Sequence, residues 1–193
     1  MREKSWTGRK GWIVVSAVVM AVALTGGIFA VERAYAKTAK EINASVDAAL
    51  DRFYKDIKGA KEFADAAKGM LVMPSIKKAA VGVGGEYGEG ALRVKGQSVA
   101  YYNFAAASYG WQIGAQAKDM IVVFMTDEAL KNFQGSKGWE AGLDGNIAVI
   151  NLGAGGVLDT KSIKDPIVAF VFDVKGLIAD ISLKGGKFTK MDK

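Results

Sequence analysis

The sequence predicts an α+β protein: a strand-rich antiparallel barrel or sandwich preceded by N-terminal amphipathic helices. Three observations carry this. Apolar residues recur at helical spacing between Lys37 and Lys58. After Gly69, glycine becomes frequent and short β-favouring runs are separated by turn pairs about every 8–12 residues. Near the end, Leu177, Ala179, Ile181 and Leu183 alternate with Ile178, Asp180, Ser182 and Lys184, the pattern of a half-buried strand.

Residues 1–36 read as a signal peptide or an N-terminal membrane anchor. Arg2, Lys4, Arg9 and Lys10 form a basic region, and Gly11 to Val31 carries no charge. As a helix that stretch would reach about 30 Å, enough to span a bilayer core. Gly26-Gly27 weakens its end, and Ala34-Tyr35-Ala36 fits an export peptidase cutting before Lys37. Cleaved or retained, the segment sends the remainder outward, since basic flanks stay inside. The expected location is periplasmic, or anchored in the inner membrane with the domain outside the cytoplasm.

Residues 37–193 make one domain, helical over 37–68 and β-rich over 70–191. Ile42, Val46, Leu50, Phe53 and Ile57 form one helical stripe, widened by Ala49, with Lys40, Asp47, Asp51, Lys55 and Lys58 mainly opposite. Gly59 interrupts, and Ala60 to Lys68 resumes with Phe63, Ala64 and Ala67 inward. Gly69 stands where a helix C-cap is expected.

Met70 to Met73 is an apolar run halted by Pro74. Ala79 to Val83 and Ala91 to Val94 read as strands around a turn at Gly84 to Gly88. Lys95-Gly96 makes a hairpin turn into a strand from Ser98 to Ala106, with Tyr101 and Tyr102 on opposite faces. Met120 to Met125 is continuously apolar, as in a strand covered on both sides. Asp127 is placed to N-cap a short helix through Gln134, with Leu130 and Phe133 inward. Asp144-Gly145 leads into a strand from Asn146 to Asn151. Strands over Ile167 to Val174, Leu177 to Leu183 and Lys187 to Met191 complete the chain, with turns at Lys175-Gly176 and Gly185-Gly186.

Composition removes most chemistry. The chain has no Cys and no His, so Cys nucleophiles, disulfides, Ser-His-Asp relays and ordinary zinc sites are excluded. Without a cysteine it cannot be a lipoprotein. Net charge is +6, but beyond residue 36 it falls to 21 basic against 18 acidic residues, a balance of +3. Only Arg52 and Arg93 remain there, too few for a nucleic-acid surface. Gly82 to Tyr87 lacks the third glycine of a dinucleotide loop, and Gly153-Ala154-Gly155-Gly156 fails likewise. Glu86 and Glu89 read as solvated turn residues rather than an acid–base pair, and Asp119 and Asp127 demand no catalytic role. Asn43-Ala44-Ser45 matches a glycosylation acceptor inside a helical pattern. No cofactor and no enzymatic activity are expected.

The positive hint is basic. Lys37, Lys40, Lys55, Lys58, Lys61 and Lys68 stud the helical part, and Lys77-Lys78 follows Pro74. Such a segment can lie on anionic lipid. Alternatively its apolar face packs on the sheet while the lysines keep the surface soluble. Glu41, Asp47, Asp51, Asp56 and Glu62 dilute the field.

Several ordered blocks resemble the SYLF domain family. They are Ala67-Lys68-Gly69 with Leu71 to Ser75, Gly82 to Gly90, Tyr101-Tyr102-Asn103, Ala107 to Gln116, Phe124 to Leu130, and Gly176 to Gly185. The resemblance covers about Ala60 to Met191. It implies lipid binding rather than catalysis, through a basic amphipathic N-terminal segment that corresponds by position to Lys37 to Lys68. The expected lipid-binding residues are Lys40, Lys55, Lys58, Lys61, Lys68, Lys77 and Lys78, and the expected partner is an anionic phospholipid surface. Eukaryotic members bind actin in some cases, a role that carries over poorly to a bacterial envelope. A structural or protein-interaction module of the envelope is the alternative, presenting Tyr87, Tyr109 or Trp139.

Overall fold

Thr38 and Glu41 start the first helix. The Thr38 hydroxyl accepts from the Glu41 backbone N–H, and the Glu41 carboxylate accepts from the Thr38 N–H at 2.8 Å. This capping box opens α1, Ala39–Asp56. The computed structural model describes residues 37–81, 83–109, 114–152, 164–175, 183 and 185–193. The expected leader, the Gly153 to Gly156 segment and all but the end of the expected Leu177 to Leu183 strand lie outside them.

Ile42, Val46, Ala49 and Phe53 are buried along α1, as the periodicity requires. Gly59 turns the chain with φ of 88°, and α2 runs Ala60–Ala66 with Phe63 inward. Gly69 does not cap this helix. It opens β1, Gly69–Val81, where an added Cβ would lie 2.9 Å from Leu130 Cδ1.

The other strands are β2 Val83–Val94, β3 Gln97–Tyr109, β4 Gly114–Phe124, β5 Gly138–Glu140, β6 Ala148–Asn151, β7 Ile167–Lys175 and β8 Lys187–Met191. Among the described residues they form one sheet ordered β5-β8-β3-β2-β1-β4-β7-β6. The sheet curls into a half-barrel. It is not wholly antiparallel, because β6 pairs with β7 in parallel. Its outermost strands are short, 3 residues in β5 and 4 in β6.

Two sequence expectations fail for one reason. Pro74 does not end a strand, and Gly84 to Gly88 is not a turn. Pro74 sits in a bulge of β1, where pairing shifts between Val72 and Lys77 on one side and between Met73 and Ile76 on the other. A central strand tolerates proline there because no ladder N–H is required. Ser75 takes a φ of 53° at this point. The neighbouring β2 must pass close by. A Cβ on Gly90 would lie 2.0 Å from the Val72 carbonyl oxygen, and one on Gly88 would lie 2.8 Å from Ile76 Cγ1. The glycines serve strand approach, not chain reversal. Lys95 and Gly96, with φ of 51° and 79°, do form the predicted hairpin turn.

The sheet buries both faces. On one, Leu71, Met73, Leu92, Phe104, Met120, Phe124 and Phe188 pack with α3, Asp127–Gly135. Leu130 and Phe133 of α3 point in as expected, but its N-cap is Thr126, whose hydroxyl accepts from the Ala129 N–H. The curl brings distant strands together: a Cβ on Gly145 would meet both Trp139 after α3 and Ile167 of β7. On the other face α1 and α2 cover Val72, Ala91, Ile121, Val123, Val168 and Phe170. Met120 to Phe124 is thus covered on both sides.

Tyr101 and Tyr102 do point to opposite faces. Tyr102 is 1% exposed, its ring centroid 4.8 Å from that of Phe133, and its hydroxyl has no hydrogen-bond partner among the described residues. Burial raises its pKa above the ordinary 10.0. The folded state therefore holds this proton more tightly than the unfolded chain, and stability falls as pH rises beyond about 10. Tyr102→Phe removes a buried polar group and should stabilise by about 1 kcal/mol at neutral pH. Urea unfolding at pH 7 and pH 10.5 checks it, the gain being larger at the higher pH.

Candidate functional site

The expected lipid-binding lysines divide by position. Lys40 and Lys55 stand on the outward side of α1, about 22 Å apart along its axis. Lys58, Lys61 and Lys68 are exposed around α2, and Lys77 is exposed on the helix side of β1. Asp47 and Asp51 share the outward side of α1, and Asp65 joins Asp56 and Glu62 near α2. The field over the helices is therefore weakly positive rather than a concentrated patch.

Lys78 does not belong with the others. It lies on the opposite sheet face, half-buried and ion-paired to Glu86.

The apolar side of α1 is already occupied. Burying Ile42, Val46 and Phe53 yields about 1.5–3 kcal/mol each. Three polar contacts then set the position of the helix on the sheet. Asn43 donates to the Tyr101 hydroxyl at 2.9 Å and accepts from Ser98 at 2.6 Å, so this glycosylation-motif asparagine faces the sheet. Asp47 pairs with Arg93. Arg52 Nε donates to Asp119 Oδ2 at 3.0 Å and lies 3.4 Å from Asp173. Hydrogen bonding to Asp119 holds the Arg52 guanidinium pKa above its ordinary value. Asp119 Oδ1 also accepts from the Ser75 N–H at 2.8 Å, tying α1 to the bulge of β1.

Glu86 and Glu89 are not solvated turn residues. Both are buried in β2, on opposite faces. Glu89 accepts from the Tyr87 hydroxyl at 2.9 Å. Glu86 faces the α3 side, with Oε2 2.8 Å from Lys118 Nζ and Oε1 3.5 Å from Lys78 Nζ. Ile76, Lys78, Glu86 and Gln116 to Lys118 line a shallow surface depression here, with essentially no space to enclose a water molecule. Trp139, expected as a surface aromatic, is buried, and Tyr87 is exposed at 42%.

The fold and these charged positions stand beside one comparison. The family model described as Ysc84, Las17-binding protein actin regulator, matches residues 105–193. Over those residues the chain is similar to the SYLF domain family. No curated protein matches it. The match runs from the second half of β3 to the C-terminus. It includes Lys118 and Asp119 and leaves out α1, α2, β1, β2 and most of the lysines considered above. The SYLF family is one of binding domains.

Lys118-Asp119 has no place among the sequence expectations, yet the pair carries a local signal. Two adjacent, oppositely charged residues directly precede a strand buried on both faces. Alternation must send one to each face, and each then needs a buried partner. Lys118 finds Glu86 and Asp119 finds Arg52.

Proposed function

We propose that this chain is an exported, non-enzymatic SYLF-type module that binds anionic phospholipid at the bacterial cell envelope. One observation carries the reading. α1 and α2 bury their apolar side on the sheet and leave Lys40, Lys55, Lys58 and Lys61 in solvent. Contact is therefore peripheral and electrostatic, with the half-barrel as rigid support. Insertion of α1 would uncover Val72, Ile121 and Phe170. Export rests on the basic region and uncharged stretch before residue 32.

Each lysine near an anionic surface contributes about 1 kcal/mol. Reversing Lys55, Lys58 and Lys61 together to Glu should lower binding of a Thr38–Lys193 fragment to phosphatidylglycerol vesicles at least tenfold, by that figure. It should also flatten the salt dependence. Co-sedimentation at two salt concentrations measures both. Unchanged binding removes this surface from the proposal.

A protein-interaction role is favoured by a separate observation. Beyond the reach of α1, the helix-side sheet face exposes Tyr87 among Lys77, Gly85, Ala105 and Ala107. Retention of an envelope protein by a fragment indifferent to vesicles of every charge would select that reading.

A further inference from the structure

We propose that Met70 and Met125 are sites of oxidation by hydroperoxides, and that their sulfoxides release the helical cover from the sheet.

The chain has no cysteine, so its thioethers are the groups most readily oxidised by peroxides. Burial sorts them by sheet face. Met73 and Met120 are fully buried in the core on the α3 side. Met70, Met125 and Met191 are only half-buried, and all three pack against the core that α1 and α2 cover. An oxidant in solvent therefore meets the helix-side methionines first.

Met70 and Met125 form a pair. Met70 stands across from Val123 of β4, whose side chain belongs to the helix-side core, and Met125 follows just past the end of that strand. The Lys68 N–H donates to the Phe124 carbonyl at 2.8 Å, so the chain leaving α2 and the chain leaving β4 run side by side. Both thioethers thus sit where α2 joins the sheet.

The cover at this point is weakly held. α2 has 7 residues, fewer than the roughly 12–15 below which an isolated helix is marginal in water. No side chain caps its N-terminus. It depends on packing, with Ala60 and Phe63 buried and the Phe63 ring edge-on to Phe170 at 5.0 Å. The end of α1 leans on the same ring, Phe53 lying 5.6 Å from Phe170.

The reaction needs only the hydroperoxide. A sulfur lone pair attacks one peroxide oxygen, and the O–O bond breaks as the S–O bond forms. The proton passes to the departing oxygen, which leaves as an alcohol, or as water when the oxidant is hydrogen peroxide. Sulfur gives up two electrons and the peroxide takes them. The product is a polar sulfoxide in place of a flexible apolar side chain. Its neighbours in this core are apolar, so its oxygen finds a donor only in water. Water reaches it when α2 and the end of α1 lift. A dithiol restores the thioether with release of water and a disulfide, so the step is reversible. The switch stands independently of the lipid reading, because mass and amide exchange register it with no vesicle present.

The test uses the full chain in dodecyl maltoside micelles, treated with hydrogen peroxide. Peptide mapping by mass should show Met70 and Met125 oxidised at least tenfold faster than Met73 and Met120. Once both carry oxygen, the amides of residues 49–56 and of α2 should exchange with deuterium at least tenfold faster, while those of β2 and β3 keep their rates. Methionine sulfoxide reductase with dithiothreitol should return the slow exchange. Met70→Leu combined with Met125→Leu, close in volume and inert to peroxide, should stay protected after the same treatment. Its exchange before treatment reports that it is folded. Equal oxidation of Met73 and Met120, unchanged helix exchange in the doubly oxidised protein, or equal loosening of the leucine variant overturns the proposal.

Discussion

Gly90→Ala should destabilise the domain by about 3 kcal/mol or more, at or above the upper end for overpacking a close contact. The added Cβ would sit 2.0 Å from the Val72 carbonyl oxygen and 2.6 Å from Met73 Sδ. A methionine tip can move aside. A carbonyl in the central strand cannot, because β1 is paired on both sides around the Pro74 bulge. Relief would require β1 and β2 to separate in the middle of the sheet. Gly135→Ala provides the contrast. No atom lies within 4 Å of its added Cβ, and the residue ends a helix. It should be neutral or stabilising by up to about 1 kcal/mol. Urea midpoints of the two variants, with unchanged slopes, measure the difference. A Gly90→Ala protein as stable as the parent would mean that β1 and β2 are not this close.

Asp119→Ala should cost about 2–4 kcal/mol. Breaking a buried ion pair from one side costs about 3–5 kcal/mol. Arg52 retains 36% side-chain exposure and can recover water, which lowers the figure. The Ser75 N–H recovers less, since it is fixed at the bulge in a left-handed conformation. Asp119→Asn keeps an acceptor for Ser75 and should fall between parent and alanine. The Arg52→Ala, Asp119→Ala double variant should be less destabilised than the sum of the singles, with a coupling of about 1–2 kcal/mol. Strict additivity would show that the contact carries no energy.

What could be read from the sequence was whatever a local period encodes. The α1 stripe was legible because Ile42, Val46, Ala49 and Phe53 repeat at helical spacing, and that face is the buried one. Met120 to Phe124 was legible because a run with no polar alternation needs cover on both faces. The Thr38 to Glu41 capping box is local and readable, and the cap of α3 falls on Thr126, one residue before the expected Asp127. The remaining differences are non-local. Whether Gly88 and Gly90 sit in a turn or in a closely approached strand depends on Val72 and Ile76, more than ten residues earlier. Glu86 and Glu89, flanked by glycines, look solvated until the strand that carries them is known to run through the block.

The candidate site shows the same boundary. Exposure of Lys40, Lys55 and Lys61 follows from helical phase, while Lys58 lies in the link between the two helices. Lys77 and Lys78 are neighbours that a strand must send to opposite faces, and the bulge at Pro74 sets which goes where. One shifted residue separates an exposed lysine from an ion-paired one.

The brevity of β5 and β6 bears on life at high local density. Unsatisfied peptide groups along a rim invite a neighbouring molecule to zip on, and long flat rims do so best. Among the described residues, this sheet keeps its 11- to 13-residue strands inside and ends in three and four residues. Copies crowded side by side would have little to splice together and would stay separate instead of growing into fibres.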